Sequence, residues 1–121
     1  MIDSTVAKKI SGVFDSLVPF GTYSAVNTII TLSKPYTNYN ILAIRCGSNT
    51  SYNSGGVKTV YIPTFLAVTT GQSFEISYIL NGSLMSMMIS FTSTTQCKIV
   101  SREVIIGTAW ESGIREIFGI K

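Results

Sequence analysis

Histidine is absent from the 121 residues. That single absence removes Ser-His-Asp and Cys-His nucleophile relays and most zinc sites, because each needs an imidazole as base or ligand. Acids are scarce too: Asp3, Asp15, Glu75, Glu103, Glu111 and Glu116 are the full set. Glycoside hydrolysis needs two carboxyl groups facing one bond. Glu75, Glu103 and Glu116 fall in predicted strands beside residues such as Arg102 and Arg115, where cross-strand ion pairing is their expected role. The chain is therefore expected to be no enzyme and to need neither cofactor nor metal.

Charge as a whole is low. Asp, Glu, Lys and Arg make up 12% of the chain, about half the usual share. Ser, Thr and Asn replace them, with 36 residues between them. A domain so short of charge is poorly equipped to stay dispersed as a lone monomer, so subunit contacts and hydroxyl- and amide-rich faces are both expected. The net charge of +3 comes from nine cations spread along the chain, of which only Lys8-Lys9 are adjacent. Counterion-release binding needs several cations on one face, so no nucleic acid partner is expected. No apolar run approaches the roughly 20 residues of a membrane span, and no membrane insertion is expected. The start, Met1-Ile2-Asp3-Ser4-Thr5, has neither the basic region nor the apolar core of a secretion signal. Only Cys46 and Cys97 are present. A bridge between them is geometrically open if their strands face each other, but buried thiols are the expectation without a secretion signal.

What the chain does have is β-type patterning. After a Ser4 to Leu17 helix candidate it reads as seven extended runs: Thr22 to Leu32, Asn38 to Gly47, Val57 to Ile62, Ser73 to Leu80, Ser83 to Thr92, Gln96 to Ile106 and Gly113 to Ile120. Ser73 to Leu80 alternates cleanly, with Phe74, Ile76, Tyr78 and Leu80 on one side. Asn81-Gly82 follows it with the strongest short hairpin signal, because a type I′ turn needs positive φ at both central residues. Pro63 stops the Val57 run, since it cannot donate to a ladder. Residues Asn49 to Gly56 read as a loop. In the Asn38 run, Leu42, Ile44 and Cys46 share one face, and Tyr39, Ile41 and Ala43 share the other. Apolar residues on both faces predict a central strand, or one covered by a neighbouring subunit. This spacing predicts an all-β, antiparallel β-sandwich, jelly-roll-like and of 7-8 strands, preceded by a short N-terminal helix. Residues 1-20 would then be a helical oligomerisation or attachment segment, and residues 21-121 the β-sandwich domain.

In the helix candidate, Val6, Ile10, Val13 and Leu17 follow the a/d rhythm of a coiled-coil seam. It is either a short amphipathic helix lying on its own domain or a helical neck shared between protomers. Met85 and Met87 share a strand face with Ile89 and Phe91, and are expected in the core or at a subunit interface. Tyr36, Tyr39, Tyr52 and Trp110 lie in or beside loops, interleaved with Asn38, Asn40, Asn49 and Asn53. Rigid aromatic faces with polar tips suit stacking on sugar rings. Tyr36, Tyr39, Tyr52, Asn53 and Trp110 are thus the candidate glycan-binding residues, the bland alternative being ordinary sandwich-end residues. Gly55-Gly56-Val57-Lys58-Thr59 is no phosphate loop, because it lacks the first glycine and leads into a strand.

Several segments together resemble the β-sandwich domain at the C-termini of phage tail fibres, baseplate proteins and other virion appendages. Val26-Asn27-Thr28-Ile29-Ile30-Thr31-Leu32-Ser33, followed by Asn38-Tyr39-Asn40-Ile41-Leu42, looks like that family's opening strand and turn. Val60-Tyr61-Ile62-Pro63 and Phe91-Thr92-Ser93-Thr94-Thr95-Gln96 are similar to its middle strands. Ile114-Arg115-Glu116-Ile117-Phe118-Gly119-Ile120-Lys121 looks like its closing strand. The resemblance runs from about Thr22 to Lys121. It implies a virion protein, assembled in the cytoplasm of a host bacterium, that forms a homotrimer, contacts other virion proteins and displays a receptor-binding tip. Host surface polysaccharide is the expected receptor. The alternative is a structural decoration or connector of capsid, neck or tail that binds virion proteins and no receptor. The chain departs from that family in length, with Met1 almost directly before the domain. Beside a tail fibre or baseplate-type tip, a small stand-alone appendage (a fibre tip on a separate carrier, or a baseplate, neck or capsid decoration) is therefore open.

Overall fold

A computed structural model of the chain describes residues 13–48, 57–80, 82–107 and 112–121. It is a β-sandwich of two four-stranded antiparallel sheets. The strands are β1 (Phe14–Val18), β2 (Ile30–Thr31), β3 (Ile41–Ser48), β4 (Val57–Pro63), β5 (Ser73–Leu80), β6 (Ser83–Ser93), β7 (Gln96–Ile106) and β8 (Ser112–Ile120). The first sheet has the order β1-β8-β3-β4 and the second the order β2-β7-β6-β5. At both ends of the chain successive strands change sheets, whereas β3–β4 and β5–β6–β7 run on within one sheet.

The long strands follow from period-two patterning. In β5, Ile76, Tyr78 and Leu80 are buried while Ser73, Glu75, Ser77 and Ile79 are exposed. Leu80 pairs with Ser83 across a two-residue turn whose Gly82 has φ +76, the left-handed region that favours glycine. Met85, Met87, Ile89 and Phe91 of β6 point between the sheets, as do Leu42, Ile44 and Cys46 of β3 and Ile114 and Ile117 of β8. Each such Leu, Ile, Met or Phe side chain contributes about 1.5–3 kcal/mol relative to exposure. The Phe91 ring meets the edge of Tyr36 at 4.6 Å between centroids and stacks on Phe74 at 6.2 Å.

The N-terminal helix is corrected. Its last residues, from Phe14 to Leu17, belong to β1, which pairs antiparallel with β8. The earlier ones, Val6 and Ile10 included, lie outside the described residues. A register shift between Ser16 and Val18 turns both Leu17 and Val18 inward, each 1% exposed. A helix could not offer β8 a ladder and the core two adjacent apolar side chains. The sandwich accordingly takes in residues from Phe14 onward, well before residue 21. Among the described residues the only α-helix is the single turn α1 (Thr64–Ala67), inside the chain after β4. No helix among them is long and apolar enough to cross a membrane.

The predicted Thr22 to Leu32 strand is also shorter. Tyr23 forms an isolated bridge with Ile114, and only Ile30–Thr31 pair with β7. Asn27 between them has φ 65 and donates its backbone N–H to the Ile99 carbonyl at 2.8 Å. Asn tolerates that left-handed conformation, which breaks a strand. One side of the sandwich is closed by Ser33, whose N–H reaches the Leu17 carbonyl and whose hydroxyl reaches the Ser16 carbonyl, both at 2.9 Å.

Candidate functional site

β3 is central in its sheet, between β8 and β4, and its second face is as apolar as the pattern implied. Register places the side chains of that outward face in rows. Phe14 of β1, Ile120 of β8, Ile41 of β3 and Pro63 of β4 form one row. Ser16, Phe118, Ala43 and Tyr61 form the next. Glu116, Arg45 and Thr59 form the third. An exposed antiparallel face would ordinarily be polar, so two adjoining apolar rows mark it out.

The middle row makes a slot. Phe118 and Tyr61 stand on either side of Ala43, their backbones two strand spacings apart, about 9.5 Å. Ala43 is 4% exposed and so short that its position becomes the floor, while Tyr61 is 62% exposed and forms an open wall. Phe14, Ala43, Arg45, Thr59, Tyr61 and Phe118 together line a depression of about 300 Å³. It offers two aromatic walls, a hydroxyl and one cation.

That cation is held in place. Arg45 Nη1 donates to Glu116 Oε1 at 2.7 Å, and the guanidinium lies 5.7 Å from the centre of the Phe20 ring. Arg115 also approaches Phe20, 5.1 Å from the ring centre. Arg115 is fully buried and donates from Nη1 to the Thr22 hydroxyl at 2.8 Å. Its position explains why it is there: Arg45 pairs with Glu116 and Cys46 with Ile114, so Arg115 is the extra residue of a β-bulge. The bulge sends Arg115 and Glu116 to the same side of β8. Of the three strand acids expected to pair across strands, Glu116 does so, with Arg45.

Two of the candidate glycan residues, Tyr36 and Tyr39, lie elsewhere. Tyr36 is 5% exposed, with its ring against Phe91 and its hydroxyl 2.7 Å from the Thr70 hydroxyl. Tyr39 is 3% exposed, packs over Gly119 and donates its hydroxyl to Asp15 Oδ2 at 2.6 Å. Burial and the Asp15 carboxylate push the Tyr39 phenol up to about 12. Neither ring presents a face for stacking; both close the end of the core. Tyr52, Asn53 and Trp110 lie outside the described residues.

Of the interface candidates, Val6 and Ile10 lie outside the described residues, and Met85 and Met87, expected in the core or at an interface, are in the core. Leu17 is there too, and all three face the opposite sheet, so their apolar surface is already spent within one chain. Val13 is partly exposed ahead of β1. Both cysteines are free and buried, and burial pushes the thiols of Cys46 and Cys97 up to about 12. Among the described residues, no group of three or more His, Cys, Asp or Glu could hold a metal ion.

Tyr61, Phe118 and Arg45 were not among the candidate binding residues named from sequence. The usable signal was the second face of the Asn38 run: the same alternation that sends Leu42 and Ile44 inward sends Ala43 and Arg45 out. Compared with known proteins, the chain matches no protein-family model and no curated protein.

Proposed function

We propose that this chain is a phage virion appendage protein that attaches to the host surface by binding a glycan without chemistry, as a homotrimer. The observation that carries this reading is the Phe118–Ala43–Tyr61 slot on the outward face of the first sheet. A flat sugar ring suits two aromatic walls, whose faces contact its C–H groups, while the Thr59 hydroxyl and Arg45 bond its oxygens. The likeness of the closing strand to virion appendage domains supplies the setting. Single sites of this open kind are weak; three copies on one particle would raise attachment through effective concentration.

Two measurements test it. Light scattering gives the solution mass, for which three copies are expected. The purified chain is then mixed with host cells and with their extracted surface polysaccharide, alongside a Tyr61→Ala variant. Binding that disappears in the variant supports the reading; a protein that ignores both the cells and the polysaccharide defeats it.

A second reading, a structural connector of the virion, is favoured by one specific feature. Phe65 and Leu66 of α1 are 77% and 76% exposed, side by side on a single turn. Such a knob suits insertion into another protein. If Phe65→Ser/Leu66→Ser abolishes decoration of particles lacking the protein while Tyr61→Ala leaves it intact, the connector reading prevails.

A further inference from the structure

We propose that the slot selects a sugar residue bearing an anionic substituent, a carboxylate or a phosphate, and that Arg45 is the group that reads the charge. This rests on the preceding reading that the face binds a glycan.

Among the described residues, Arg45 is the only charged one lining the depression. Its partner Glu116 is not among the lining residues, and the Glu116 side chain is 13% exposed against 35% for Arg45. A ligand in the slot therefore meets the cation and not the carboxylate. The pair does not exhaust Arg45 either. A guanidinium has five N–H donors in a planar fork, and Glu116 takes one of them, on Nη1. The Glu116 bond at 2.7 Å and the Phe20 ring at 5.7 Å both restrain the guanidinium, so the remaining donors are partly ordered before any ligand arrives. An ordered fork matches the two oxygens of a carboxylate or phosphate, which accept in parallel.

Register puts the charge within reach of a ring in the slot. Arg45 lies two residues from Ala43 along β3, about 7 Å, on the same face. Thr59 stands opposite Arg45, next to Tyr61's side of the slot, and adds a hydroxyl. Arg115, 5.1 Å from the centre of the same Phe20 ring, is a second positive charge close by. A neutral sugar would cover part of the Arg45 guanidinium without giving its donors a charged partner; an acidic one replaces lost water with paired oxygens.

The test uses the full chain and matched polymers: oligogalacturonate with its carboxyl-reduced form, and a phosphomannan with its dephosphorylated form. Binding is measured by calorimetry at low and high salt. At least one acidic polymer is expected to bind about tenfold or more tightly than its neutral partner, with the advantage shrinking in salt. Which pair shows it tells carboxylate from phosphate. Arg45→Gln should erase that advantage, so that within the variant the acidic polymer binds no more tightly than its neutral partner. Arg45→Lys, which keeps the charge without the fork, should retain part of it and guards against a folding defect. Equal binding of acidic and neutral forms, or a preference that survives Arg45→Gln, overturns the inference and leaves glycan binding standing. No binding to any of the four polymers, together with none to host polysaccharide, overturns both.

Discussion

The Tyr39 ring lies directly over Gly119: a Cβ built on Gly119 would stand 2.5 Å from Tyr39 Cγ. Gly119 is on β8 opposite Asp15 of β1, and the Tyr39 hydroxyl reaches across to that carboxylate at 2.6 Å. One missing side chain thus lets a loop tyrosine lie flat on the sheet and tie β1 to β8. Gly119→Ala is expected to destabilise by about 1–3 kcal/mol, as overpacking of a filled site does. The check is chemical denaturation in two backgrounds. If the ring is the obstacle, most of the loss disappears when Tyr39 is already alanine; an unchanged loss would place the cause in the backbone.

The same pair sets limits in pH. The hydroxyl bond from Tyr39 is the main reason the Asp15 carboxyl titrates below its ordinary 3.8; Lys121 and Lys34, each 3.5 Å away, add to it against the opposing effect of burial. A depressed carboxyl stabilises above its unfolded value, so this contribution is present above about pH 4 and is lost as pH falls through the folded value. Tyr39 runs the other way. Raised from 10.0 to about 12, it stabilises fully below pH 10 and loses that contribution as pH climbs toward 12. Denaturation midpoints followed with pH should fall at both ends, and Tyr39→Phe should flatten both limbs. A variant with unchanged limbs would remove the pair from the account.

Both thiols should be silent in the native protein. Cys46 and Cys97 are fully buried, and a thiol held near 12 has almost no thiolate at neutral pH. A thiol-specific chromogenic reagent is expected to label neither residue under native conditions and to label both after unfolding. The labelling rate should follow the opening of the core and increase with denaturant. Fast labelling of either cysteine in buffer would mean that its strand opens independently.

How much of this was legible in the sequence varies with the range of the contacts. The strands β5, β6 and β7 came almost to the residue, because alternation and Asn81-Gly82 are local signals. β1 was missed because Phe14 to Val18 is too short to show a period of its own. Its strand identity comes from β8, about a hundred residues away, while the 4-3-4 spacing of Val6, Ile10, Val13 and Leu17 favoured a helix. Tyr36 and Tyr39 looked like loop aromatics, and nothing local reveals that Phe91 and Gly119 wait to receive their rings. The slot is the extreme case: Ala43, Tyr61 and Phe118 become neighbours only through the register of three strands.

Tyr61 therefore gives the cleanest separation of function from stability. Its side chain is 62% exposed and no side-chain hydrogen bond anchors it among the described residues, so Tyr61→Ala is expected to change stability by no more than about 0.5 kcal/mol. Removing one wall of the slot should nonetheless cost about 1–2 kcal/mol of glycan binding, in line with the loss of an aromatic contact. Phe118→Ala removes the other wall, but that ring is half-buried on β8 and its loss should weaken folding as well. Ala43→Leu keeps both walls and fills the floor. If the slot is the site, Ala43→Leu abolishes binding to surface polysaccharide as completely as Tyr61→Ala does, with both rings still present. Retained binding in that variant would move the site off this face.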